Sequence, residues 1–105
     1  MTDSDRLRLY LHSVRSREEH REDIESLLGK DDSLLELYHQ ETGRIDSRAL
    51  GRKLREIGLG NAWFAMLNGT IIASGSTREK LEENLHEILP AEKQRFAYFF
   101  YLKAK

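Results

Sequence analysis

WFAMLNGTIIASG, Trp63 to Gly75, is the stretch that decides the fold. Two apolar runs flank Asn68-Gly69, a pair suited to a two-residue type I′ turn because both central positions need positive φ. Asn tolerates that conformation, and Gly has no Cβ to oppose it. With this pair at the tip, Leu67 faces Thr70, and the register continues as Met66 with Ile71, Ala65 with Ile72 and Phe64 with Ala73. Trp63, Ala65 and Leu67 then share one face with Ile72, while Phe64 and Met66 share the other with Ile71 and Ala73. A slip of one residue would exchange the faces. Both faces are apolar, so the hairpin requires cover on both sides.

Beyond the hairpin, Ser76-Thr77-Arg78-Glu79 has the spacing of a capping box and opens a helix with Leu81, Leu85, Ile88 and Leu89 inward. Pro90 prevents its continuation. RFAYFFYL, Arg95 to Leu102, has strong β character, with Phe96, Tyr98 and Phe100 pointing one way and Ala97, Phe99 and Tyr101 the other. A run apolar on both faces predicts a strand in the middle of a sheet or against helices, because an open edge of this composition invites aggregation.

Before the hairpin the pattern is helical. Asp3 or Ser4 can cap a first helix with Leu7, Tyr10, Leu11 and Val14 on one face. Arg15 to Asp23 contains nothing apolar, which favours a break or kink at Ser16 over one helix through 4–28. Ile24, Leu27 and Leu28 follow, and Gly29 offers a left-handed helix end. Ser33 and Glu36 suggest a capping box for a helix over 33–42 ended by Gly43. After a turn from Gly43 to Asp46, capped by Asp46 or Ser47, a helix over 47–57 turns Leu50, Leu54 and Ile57 inward. Gly58 closes it, with Leu59 packing back as in a Schellman ending.

The fold expected is therefore α+β in a single domain of 105 residues: a helical layer (about 4–28, 33–42 and 47–57, within 1–59) on a ββαβ unit (60–105). The unit has a three-stranded, mainly antiparallel sheet (62–67, 70–74, 95–103) with one helix (77–89) on one face and the N-terminal helices on the other. A chain of this length supports one core.

Seventeen Lys and Arg against 18 Asp and Glu leave a net charge of −1, so any polyanion must be held by a local patch. With no cysteine, disulfides, thiolate metal sites and cysteine nucleophiles are excluded, which fits a cytoplasmic protein. No stretch is apolar for long enough to serve as a signal peptide or membrane span, so no membrane partner is expected. His12, His20, His39 and His86 show no paired metal spacing, Gly58-Leu59-Gly60 follows a helix instead of preceding one, and no serine sits in a nucleophile motif. Neither an enzyme nor a cofactor is expected.

The chemically suggestive stretch is RIDSRALGRKLRE, Arg44 to Glu56, with five basic residues, Arg44, Arg48, Arg52, Lys53 and Arg55, against two acidic ones. Arg48, Arg52 and Arg55 fall at i, i+4 and i+7, a cationic stripe roughly opposite Leu50, Leu54 and Ile57. A helix whose back packs on a core and whose front meets phosphates has this form. The turn before it has the length of a helix-turn-helix connection, and the hairpin after it could act as a wing.

Residues 34 to 72, with LLELYHQETG, SRALGRKLREIGL, Trp63 and the Asn-Gly turn, resemble the winged-helix modules of phage and plasmid primase-helicases. Trp63, Ala65, Gly69, Ile71, Ala73, Ser74, Gly75, Thr77 and Leu81 are similar to small prokaryotic ββα modules of unknown function and, more remotely, to HicB-type antitoxins. The first resemblance implies a DNA-facing helix; the second implies fold more than activity. The function expected is a small non-enzymatic regulatory protein that binds nucleic acid, DNA or RNA, through the basic helix. The alternative is a protein-interaction module, with another protein or as a homodimer joined through the aromatic last strand or the first helix.

Overall fold

A computed structural model describes residues 2–104. The elements run α1 (Asp3–Leu11), α2 (Val14–Glu19), α3 (Arg21–Leu28), α4 (Asp32–Glu56), β1 (Ala62–Leu67), β2 (Thr70–Gly75), α5 (Arg78–Ile88), α6 (Ala91–Gln94) and β3 (Tyr98–Leu102). The architecture is α+β, with an antiparallel three-stranded sheet in the order β2-β1-β3.

The N-terminal helices are more divided than the sequence suggests. Thr2 caps α1 in a reciprocal box with Asp5, in place of Asp3 or Ser4. The break falls before Ser16, at His12-Ser13, because the Ser13 hydroxyl accepts from the Ser16 amide and starts α2. His20 marks a second kink. Gly29 ends α3 with φ −75°, in the right-handed region instead of the left-handed one. Leu7, Leu11, Ile24, Leu27 and Leu34 form a buried cluster between these helices and the first part of α4.

The largest difference is α4, a single helix of 25 residues where two were expected. Asp31 caps it by accepting from the Ser33 amide, so Ser33 is inside the helix. Gly43 does not stop it. A Cβ added there would fall against the Tyr98 Cβ and lie 2.6 Å from its Cγ, so Gly43 is where the helix backbone touches β3. The next such point is Gly51, whose added Cβ would meet Leu102 Cδ1 at 3.2 Å. Eight helical residues rise about 12 Å, and four strand residues from Tyr98 to Leu102 span about 13 Å. The helix therefore runs alongside β3 with matched rise. Tertiary contact overrides the weak local preference of Gly43 for a turn. Asp46 is then not a cap; its carboxylate takes both guanidinium nitrogens of Arg17, at 3.0 and 3.2 Å, and ties α2 to the middle of α4.

Gly58 closes α4 as expected. Its φ is +88°, Leu59 N donates to Leu54 O, and Gly58 N donates to Arg55 O, the two bonds of a Schellman ending. Ile57, expected inward, is 73% exposed, because the packing seam runs along Gly43 and Gly51 instead.

Asn68 and Gly69 form the turn with φ 53° and 76°. Leu67 pairs with Thr70 and Met66 with Ile71 as the turn requires, but a bulge follows, and Ala65 pairs with Ala73. Ile72 is the extra residue, so Ala73 joins Ala65 on the face that receives Leu81 and Leu85 of α5. Two alanines at the contact let α5 sit close to the sheet. Thr77, not Ser76, caps α5 by accepting from the Lys80 amide. Pro90 leads into α6, a short helix that delays the last strand to Tyr98.

β3 lies at an edge of the sheet and β1 in the middle; of the two settings expected for the aromatic strand, the middle of the sheet is not the one taken, and packing against a helix is, with α4 along it. Of the N-terminal helices only α4 reaches the sheet, covering the face of Phe64, Tyr98, Phe100 and Leu102. The buried side chains accordingly divide into a cluster among the N-terminal helices and another between sheet and α5, with α4 bridging them.

Two outcomes follow. Gly43→Ala gains about 1 kcal/mol of helix propensity but forces atoms onto the near end of Tyr98, so a net loss of about 1–3 kcal/mol is expected in urea unfolding; Gly51→Ala meets only the flexible end of Leu102 and is expected to be close to neutral. A stabilised Gly43→Ala protein would contradict the packing. His39 lies half-buried between Tyr38 and Phe96, its Nδ1 without a partner among the described residues, and desolvation lowers its pKa from the ordinary 6.5. Between the lowered value and 6.5 the unfolded chain binds more protons than the folded one, so stability rises with pH across that window and is lost as pH falls through it. His39→Gln is expected to flatten that dependence in unfolding curves taken from pH 7 down to 5; identical slopes would contradict it.

Candidate nucleic-acid interface

The second half of α4 has three aspects. The seam on β3 is made of glycines, Lys53 faces away, and the arginines stand on the flank between. Arg44, Arg48, Arg52, Lys53 and Arg55 are all exposed. Arg48, Arg52 and Arg55 come together: with Ser47 and Gly51 they form one wall of an open groove of about 390 Å³, and Phe100, Tyr101 and Leu102 of β3 form the other.

The groove exists because of the seam. Where α4 meets β3 through glycine, helix and strand sit close enough that the long arginine stems of the adjacent flank lean along the strand's outer edge. Arg55 Nε donates to Lys103 O at 2.8 Å, which fixes that side chain against the end of β3. Arg48 and Arg52 make no ion pair among the described residues, and neither acidic residue of the stretch neutralises them: Asp46 is committed to Arg17, and Glu56 is not among the lining residues.

The other two expected residues stand apart. Arg44 is on the same flank but engages Glu41 at 3.0 Å, and Lys53 does not line the groove. Arg44 can still add to the field, since an exposed pair of this kind contributes little energy and opens readily. The strand side of the groove was not foreseen. The alternation in RFAYFFYL was legible, but finding Phe100 and Tyr101 beside the arginines needs the knowledge that β3 is an edge and that α4 runs parallel to it.

The geometry also bears on how a ligand could approach. A continuous α4 has no turn at 43–46, so the helix-turn-helix reading of that stretch falls. The hairpin tip lies at the Tyr98 end of β3, since Met66 pairs with Tyr98, whereas the groove lies toward Leu102. The hairpin is thus a packed part of the sheet and not a wing beside the arginines. Among the described residues no group of three or more His, Asp or Glu is placed to hold a metal ion, and no helix is long and apolar enough to cross a membrane. Comparisons of the chain with protein-family models, with curated proteins and with solved structures give no match.

Proposed function

We propose that the protein binds nucleic acid through the groove between α4 and β3, with Arg48, Arg52 and Arg55 on the phosphates and Arg44 and Lys53 adding to the local field. The observation that carries this reading is the convergence of three arginines on one groove wall, none of them with an acidic partner among the described residues. In a chain of net charge −1, cations left unpaired together make a local attraction for a polyanion. Guanidinium groups suit this role because their forked donors match phosphate oxygens. Binding is non-enzymatic and serves a regulatory purpose in this reading.

The arginines also bear on the homodimer alternative. Two copies paired antiparallel through β3 would carry both α4 helices on the same side of the joined sheet and bring their arginine flanks together. That repulsion disfavours the β3 version. The first-helix version keeps one supporting observation: Leu9 is 55% and Val14 59% exposed on α1 and α2. Light scattering over a range of concentrations tests it, and a constant monomer mass removes it.

For the nucleic-acid reading, three phosphate contacts release enough counterions to give a log-log salt slope of about −2 to −3. Retention of DNA or RNA at low salt is expected in a mobility-shift assay, lost on raising salt and abolished by Arg48→Glu with Arg52→Glu. No retention at low salt, or retention unchanged in the double variant, overturns it.

A further inference from the structure

The sheet face opposite α4 is only partly covered. The backbone of α5 lies over β2 and β1 and not over β3, so toward β3 that face is closed by side chains alone: Trp63 and Phe99 pack against the α5 cluster, and Tyr101 stands beyond it. Trp63 and Tyr101 are cross-strand partners with ring centroids 5.6 Å apart. Tyr101 is 49% exposed, and Trp63 and Phe99 are half-buried. Arg78, at the start of α5, reaches over this shelf, its guanidinium carbon 5.7 Å from the Trp63 ring and 5.5 Å from the Phe99 ring. The shelf and the arginine groove are the two sides of one edge strand, and Tyr101 belongs to both.

We infer that the ligand of this surface is single-stranded nucleic acid, its backbone along Arg48, Arg52 and Arg55 and its bases turned over the β3 edge onto Tyr101 and Trp63. This rests on the phosphate-binding reading of the groove and adds the class of strand. Three physical arguments carry it. A base can stack on an exposed aromatic ring only when it is not already stacked in a duplex, so an aromatic shelf beside a cationic track selects unpaired bases. Arg78, whose exposed pairing with Glu82 at 3.4 Å opens readily, adds a cation next to the rings, where a phosphate of the turning backbone can reach it. A helix that reads a duplex major groove does so with side chains directed away from its own protein, whereas Arg48, Arg52 and Arg55 line the groove between α4 and β3.

The test is fluorescence anisotropy of the whole chain at low salt with labelled oligo-deoxythymidine, oligo-uridine, a blunt duplex and an acidic peptide, read together with the emission of Trp63, the single tryptophan. The single strands are expected to bind about tenfold or more tighter than the duplex and to quench Trp63. Tyr101→Ala, at an exposed site, is expected to weaken single-strand binding about tenfold, and Tyr101→Phe to retain it. The two single-strand arms separate DNA from RNA, since a 2′-hydroxyl preference would favour oligo-uridine. Duplex binding as tight as single-strand binding, or no effect of Tyr101→Ala, overturns the single-strand inference and leaves the phosphate groove standing. Failure of every oligonucleotide overturns both, and tighter binding of the acidic peptide overturns them in favour of a protein partner.

Discussion

The close contact of α4 with β3 at Gly43 and Tyr98 is the constraint on which the rest of this molecule depends. A side chain at Gly43 would occupy the space now held by the base of the tyrosine ring, so the helix can lie alongside the strand only because that position is bare. Each glycine in a helix interior costs about 1 kcal/mol relative to alanine. Covering a single large apolar side chain returns about 1.5–3 kcal/mol, and α4 closes the sheet face that carries Phe64, Met66 and Leu102, all nearly inaccessible. The balance favours a straight helix through Gly43.

From that contact the division of labour along α4 follows. Its first part completes the leucine cluster with α1 and α3, and the pairing of Arg17 with Asp46 holds α2 against its middle. Its second part carries the groove. The same glycine seam that draws helix and strand together leaves the neighbouring flank free to stand arginines along the edge of β3. Those charges do a second thing: an aromatic edge strand is a template for pairing with another copy, and a row of arginines beside it opposes such pairing. The feature proposed to hold a polyanion thus also opposes pairing of copies through β3.

What the sequence made legible is tied to local chemistry. Asn68-Gly69 had to be the turn, the Schellman ending at Gly58 and the stop at Pro90 were readable, and the alternation of the last strand held. The errors share a cause. Gly43 was read as a helix end, and Gly29, which does end α3, was expected to do so in the left-handed region, because local sequence offers no means of telling a glycine that serves φ from one that serves contact. The bulge at Ile72 answers to the approach of α5, and the edge position of β3 to the reach of α4 and α5; both are tertiary facts. The candidate site was half visible: the arginines at i, i+4 and i+7 were found as a stripe, but the packing face was extended to Ile57, which is exposed, and not to the glycines, which hid the strand that forms the other wall.

The central claim is that the α4–β3 edge is the surface at which this protein meets its partner. Amide chemical-shift mapping with a short single-stranded oligonucleotide tests it most directly. The account predicts shifts confined to residues 47–55 of α4, 99–103 of β3 and the neighbourhood of Trp63 and Arg78, with Leu7, Ile24 and Leu27 unmoved. Shifts centred on α1 to α3, or spread without a focus, would contradict it.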